Sequence, residues 1–120
     1  MRSLIAYSLH DEFVSQLRRM MTIEQFRSPE LSALYSQRYV AQIQQYHERL
    51  FRRMIAAGVM RRENPELLAL MYDAPILLLL GECDRHPEKE QEIMATLERH
   101  VRLFYQLFSE QPPEAGKAHD

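Results

Sequence analysis

The sequence predicts an all-α protein built as an antiparallel bundle of four main helices, and three observations carry that expectation. Apolar residues recur at helical spacing along most of the chain. The three glycines and six prolines fall between these periodic segments, with one exception. No stretch alternates apolar and polar residues long enough for a strand, and no Asn-Gly or Asp-Gly hairpin signal occurs.

The first segment runs from about Leu4 to Phe26, with Leu9, Phe13, Leu17, Met20 or Met21 and Phe26 forming one apolar stripe. Arg27-Ser28-Pro29 ends it and starts the next: Ser28 suits an N-cap, Pro29 the first helical position, and Glu30 the positive end of the helix dipole. The second segment reaches Ala57, where Gly58 is a natural C-cap. It exceeds the usual helix length, which allows a bend near Val40–Ile43. The third helix repeats the start signal at Asn64-Pro65-Glu66 and continues to about Cys83. Between Leu67 and Leu80 it is apolar nearly all round, so it is expected to be buried on all sides. Asp73 breaks that run below the length a membrane span needs. Pro75 is the exceptional proline, inside a helix, where it removes one hydrogen bond and usually kinks the axis. The fourth helix opens at Pro87-Glu88 and ends near Phe108. From Ser109 the composition turns to Gln, Pro, Glu, Ala, Gly and Lys, which divides the chain into a helical domain over 1–108 and a disordered tail over 109–120.

A chain of 120 residues is normally one domain, and 46% apolar with 27% charged residues is ordinary for a soluble globular protein. A net charge of -2 argues against broad phosphate binding, which needs a concentrated basic surface. The Arg18-Arg19, Arg52-Arg53 and Arg61-Arg62 pairs each have acidic residues nearby, as solvated helix faces do. The lone Cys83 cannot form an internal disulfide, and the N-terminus lacks a signal-peptide pattern, so a cytoplasmic protein is expected.

The last two helices carry more apolar surface than one neighbour covers. Ile93, Leu97, Val101, Phe104 and Phe108 form one stripe on the fourth helix, and Met94, Leu103 and Leu107 add a second. Two copies pairing their third and fourth helices into an intermolecular four-helix bundle would bury both faces; a monomer with a generous core is the alternative. The interface expected for the homodimer is Pro75, Leu78, Leu79, Ile93, Leu97, His100, Val101, Phe104 and Phe108.

Several runs resemble segments of TetR/AcrR-type transcriptional regulators. They are Arg18-Arg19-Met20-Met21-Thr22-Ile23-Glu24-Gln25-Phe26-Arg27-Ser28-Pro29-Glu30-Leu31, then Tyr46-His47-Glu48-Arg49-Leu50-Phe51 with the following Arg52 to Gly58. Asn64-Pro65-Glu66-Leu67-Leu68-Ala69-Leu70, Ala74-Pro75-Ile76 and Leu97-Glu98-Arg99-His100-Val101-Arg102-Leu103-Phe104 complete them. The likeness spans most of 4–108 and rests on order and spacing within the C-terminal ligand-binding and dimerisation region. It implies homodimers paired through the last two helices, a mostly apolar effector cavity, and operator binding through N-terminal helix-turn-helix heads. This sequence departs from that pattern in having no such head, so it is expected not to bind DNA by itself.

Tyr35, Tyr39, Tyr46, His47, Phe51, Met54, Met71 and Tyr72 are the residues expected to line a cavity. Aromatic and Met side chains tolerate varied ligand shapes, and Tyr and His tips add orienting hydrogen bonds; packing in the core is the alternative for each. Asp73 joins them, because a carboxylate in so apolar a helix is costly unless paired; it is expected to face a pocket, a tyrosine or an arginine, or else to sit at the helix surface. No metal or cofactor is expected. Cys83 and His86 lack the further ligands a site needs, and no Glu-x-x-His pair occurs. No Gly-rich phosphate loop, nucleophile elbow or Ser/His/Asp arrangement points to an enzyme. The functional expectation is therefore a dimeric regulatory domain that binds a small effector. A helical scaffold that binds a partner and no ligand is the alternative.

Overall fold

A computed structural model of the protein describes residues 10–110, the side chain of Tyr39 excepted. Every regular element among them is helical: α1 (Glu12–Glu24), α2 (Pro29–Tyr35), a π-helical segment (Ser36–Ala41), α3 (Gln42–Ala56), α4 (Pro65–Arg85), a 3-10 turn (Pro87–Lys89) and α5 (Glu90–Phe108). The start of the first expected segment, from Leu4 through Leu9 of its apolar stripe, lies outside the described residues.

The helix starts are set by short polar side chains. Asp11 Oδ1 accepts from the amide of Val14 at 2.9 Å, Ser28 Oγ from Leu31 at 3.1 Å, and Asn64 Oδ1 from Leu67 at 3.1 Å, each satisfying a donor the first turn would leave orphaned. Pro29 and Pro65 follow two of these caps at the position where a missing N–H costs nothing. The long second rod is not uniform. Its π segment, with the Gln42 amide bonding back to the Gln37 carbonyl, overlaps the start of the stretch where a bend is allowed.

The end of α3 is a Schellman cap. Gly58 adopts a φ of 80°, its amide donates to the Ile55 carbonyl at 3.0 Å, and the Val59 amide donates to Met54 at 3.1 Å. The chain then reaches across to the end of α5. Arg61 N–H donates to Phe108 O at 2.7 Å and Glu110 N–H to Val59 O at 3.0 Å, so Met60 and Ser109 pair as a single antiparallel bridge, both of them buried. Ser109 and Glu110 thus belong to the folded domain, and the tail expected from Ser109 lies, from residue 111 on, outside the described residues.

The core lies between α3, α4 and α5. Phe51, Met60, Leu68, Ala69, Tyr72, Ile76, Leu80, Cys83, Ile93, Leu97 and Phe104 form one buried cluster. Helix α1 is tied to it by a two-pronged ion pair, Arg18 Nε and Nη2 donating to the two oxygens of Asp84 at 2.9 and 2.7 Å. His10 and Glu90 add an exposed contact at 2.7 Å. No helix among the described residues is long and apolar enough to cross a membrane.

Candidate ligand-binding cavity

The site begins with a spacing on α3. His47, Phe51 and Met54 recur at four- and three-residue intervals and so share one face, and Leu50 flanks them. That face meets Tyr72 on α4 and Val101, Phe104 and Tyr105 on α5 around a cavity of about 310 Å³. Tyr46, Val59, Met60 and Ser109 complete the wall. Val59 and Met54 are the two residues whose backbones close the Schellman cap, so the turn that ends α3 also shapes one end of the cavity.

The aromatic rings support one another. His47 stacks on Phe51 with centroids 5.9 Å apart and meets Tyr72 edge-on at 4.9 Å. Phe104 lies 5.4 Å from Phe51 and 5.0 Å from Tyr72. Such offset and edge-on pairs stabilise each other beyond their buried area, which holds the wall in place.

Behind the wall is a buried polar pair. His47 Nδ1 lies 2.7 Å from Asp73 Oδ1, and both residues are within the core, at 5% and 1% exposure. The ring N–H is not well aligned on that oxygen, so the contact is mainly one of charge and dipole, and Asp73 Oδ2 has no hydrogen-bond partner among the described residues. Burial, and then the charge of Asp73, push the Tyr72 hydroxyl up to about 12, so it stays protonated at neutral pH. One turn along the wall, the His100 Nε2–H donates to the Tyr72 carbonyl at 2.9 Å. That carbonyl neighbours the Met71 carbonyl, which Pro75 leaves without its helical donor.

Of the residues expected at a cavity, Tyr46, His47, Phe51, Met54 and Tyr72 line it. Asp73 stands behind His47 rather than on the wall, and its partner is that histidine, neither a tyrosine nor an arginine. Met71 is half exposed on the outer side of α4, and Tyr35 is on α2, away from the wall. Tyr39 lies on the π segment, where only its backbone is described. Leu50, Val59, Met60, Tyr105 and Ser109 are wall residues that periodicity did not single out. The Gly58 cap with Val59 behind it was the available signal for two of them.

The residues expected at a dimer face divide. Ile93, Leu97 and Phe104 point into the chain's own core, and Val101, His100 and Phe108 are half-buried beside it. Pro75 and Leu79 are half-buried, and Leu78 is exposed. Exposed apolar residues of these two helices include Leu67, Leu70, Met71 and Leu78 on α4 and Leu103 and Leu107 on α5.

No three His, Cys, Asp or Glu side chains converge on a metal position among the described residues. Cys83 is buried in the core, where burial, followed by the charges of Glu90 and Asp84, raises its pKa.

Comparison with known protein families places this helical arrangement among regulators of transcription. Residues 2–110 match the family described as AefR-like transcriptional repressor, C-terminal domain, and the chain belongs to that TetR-type family. Searches of curated proteins and of solved structures returned no match.

Proposed function

We propose that this domain binds a small, mostly apolar effector between α3, α4 and α5 and pairs with a second copy of itself through the outer faces of α4 and α5. Effector occupancy and dimer geometry are then coupled, and a helix-turn-helix head carried by the whole regulator reads the operator. The observation that carries the reading is the cavity of about 310 Å³ walled by aromatic and Met side chains with a few polar tips, the composition expected of a small-molecule site. The pairing is supported by Leu67, Leu70, Met71 and Leu78, which leave α4 an apolar, half-exposed face among the described residues, with the exposed Leu103 and Leu107 on α5. Closed two-fold pairing of such helices covers both strips at once.

A partner-binding scaffold is the second reading, supported by the exposed Phe13, Met20, Ile23 and Phe26 on and just after α1. Sedimentation at micromolar concentration combined with thermal-shift screening of apolar and aromatic compounds separates the two. A dimer stabilised by some of these compounds is the expected result. A monomer, or a dimer that no compound stabilises, favours the scaffold.

A further inference from the structure

The size and the charge of the cavity restrict its guest. An apolar cavity of about 150 Å³ accommodates benzene, so one of about 310 Å³ suits a compact molecule of about two rings. Among the described residues, no Lys or Arg lines the wall. Behind the wall stands the carboxylate of Asp73, whose Oδ2 has no hydrogen-bond partner among the described residues and whose charge helps keep the Tyr72 hydroxyl protonated. An anionic guest meets the same field with no counter-charge. A cationic guest must shed its water against a wall that holds no carboxylate, because Asp73 sits behind His47 at 1% exposure.

What remains is the His47 ring. Its Nδ1 faces Asp73 at 2.7 Å, and a carboxylate there favours the tautomer with the proton on that nitrogen. Nε2 is then the ring's hydrogen-bond acceptor, carried by a residue of the cavity wall, where a donor on the guest can meet it. We propose that the cavity selects a compact guest of about two rings bearing one uncharged hydroxyl donor of the phenol type, which it gives to His47 Nε2, with Asp73 as the positioning residue that sets the tautomer. This rests on the reading of the cavity as a ligand site and adds the chemistry of the ligand to it.

The test compares naphthalenes of one shape: β-naphthol, its methyl ether, β-naphthoate and the naphthylmethylammonium cation, titrated calorimetrically at neutral pH. Naphthol is expected to bind about tenfold more tightly than the ether, the ratio one net hydrogen bond supports, and both ions more weakly than the ether. In His47→Phe the naphthol preference is expected to vanish while the ether still binds. Nitrogen NMR of the unsubstituted protein supplies a readout that does not depend on that variant folding: the His47 Nε2 resonance moves with naphthol and not with the ether. Equal binding of naphthol and ether, a preference that survives His47→Phe, or tightest binding of either ion overturns the proposal and leaves the ligand site standing. Binding of none of the four overturns the ligand site itself.

Discussion

Asp73 of α4 holds the imidazole of His47 on α3 at 2.7 Å, and the two side chains are the polar centre of an otherwise apolar interface between those helices. A buried pair of this kind contributes little net stability, but breaking it leaves one member uncompensated. Asp73→Ala and His47→Ala are each expected to cost about 3 kcal/mol in urea denaturation. The double replacement Asp73→Leu with His47→Phe is expected to cost about 1 kcal/mol or less, because no orphan remains. Additive losses in that cycle would show that the two side chains act independently.

The pairing half of the proposed function predicts a change of state from one exposed position. Leu78→Glu, or Leu103→Glu, is expected to convert the dimer to a folded monomer in sedimentation, with the helical content unchanged. Both residues are more than half exposed in the single chain, so the charge disturbs no core packing.

The caps give a prediction of local stability. Ser28→Ala and Asn64→Ala each remove a 3.1 Å acceptor for a first-turn amide and are expected to destabilise the domain by about 1 kcal/mol, seen in thermal or urea unfolding.

These starts were legible in the sequence because capping is local chemistry: a short polar residue, a proline and an acid in succession. The cost of Asp73 was legible too, since a carboxylate in an apolar helix demands compensation. Its histidine partner was not, because it comes from another helix and nothing in local spacing connects the two. Periodicity also separated the two apolar stripes of α5, Ile93-Leu97-Val101-Phe104-Phe108 and Met94-Leu103-Leu107, but the first was expected at the dimer face. Which stripe faces inward depends on where α4 lies, and the structure turns Ile93, Leu97 and Phe104 into the chain's own core and leaves Leu103 and Leu107 outside.

Tyr72 predicts a pH dependence at the alkaline end. Its pKa is raised from 10.0 to about 12, so the folded state holds this proton more tightly than the unfolded chain does. The resulting stability is fully present below pH 10.0 and is lost as pH rises toward about 12. In an alkaline titration followed by phenolate absorbance, Tyr72→Phe is expected to delete an ionisation near pH 12 and to flatten the loss of stability across that window.

Arg18 and Asp84 join α1 to α4 through two nearly parallel hydrogen bonds with little exposure to water. Asp84→Asn is expected to cost about 2 kcal/mol, because the amide removes the counter-charge and turns an NH2 donor toward the guanidinium in place of one acceptor oxygen. Hydrogen exchange is expected to accelerate in α1 more than in α4 or α5.

The π segment between α2 and α3 has a geometric consequence for the long rod that contains it. One additional residue in a helical turn advances the direction of every later side chain by about 100° without a break in the axis. A uniform helix would keep presenting a single stripe to a single neighbour. Here the rod changes clients midway: before Ser36 it packs on α1, and after Ala41 it packs on α4. His47, Phe51 and Met54 owe their aim at the cavity to that phase change. Removing one residue from Ser36–Ala41 would let the segment close as regular α-helix with all three still aimed at the cavity, whereas straightening it at full length would turn all three away together.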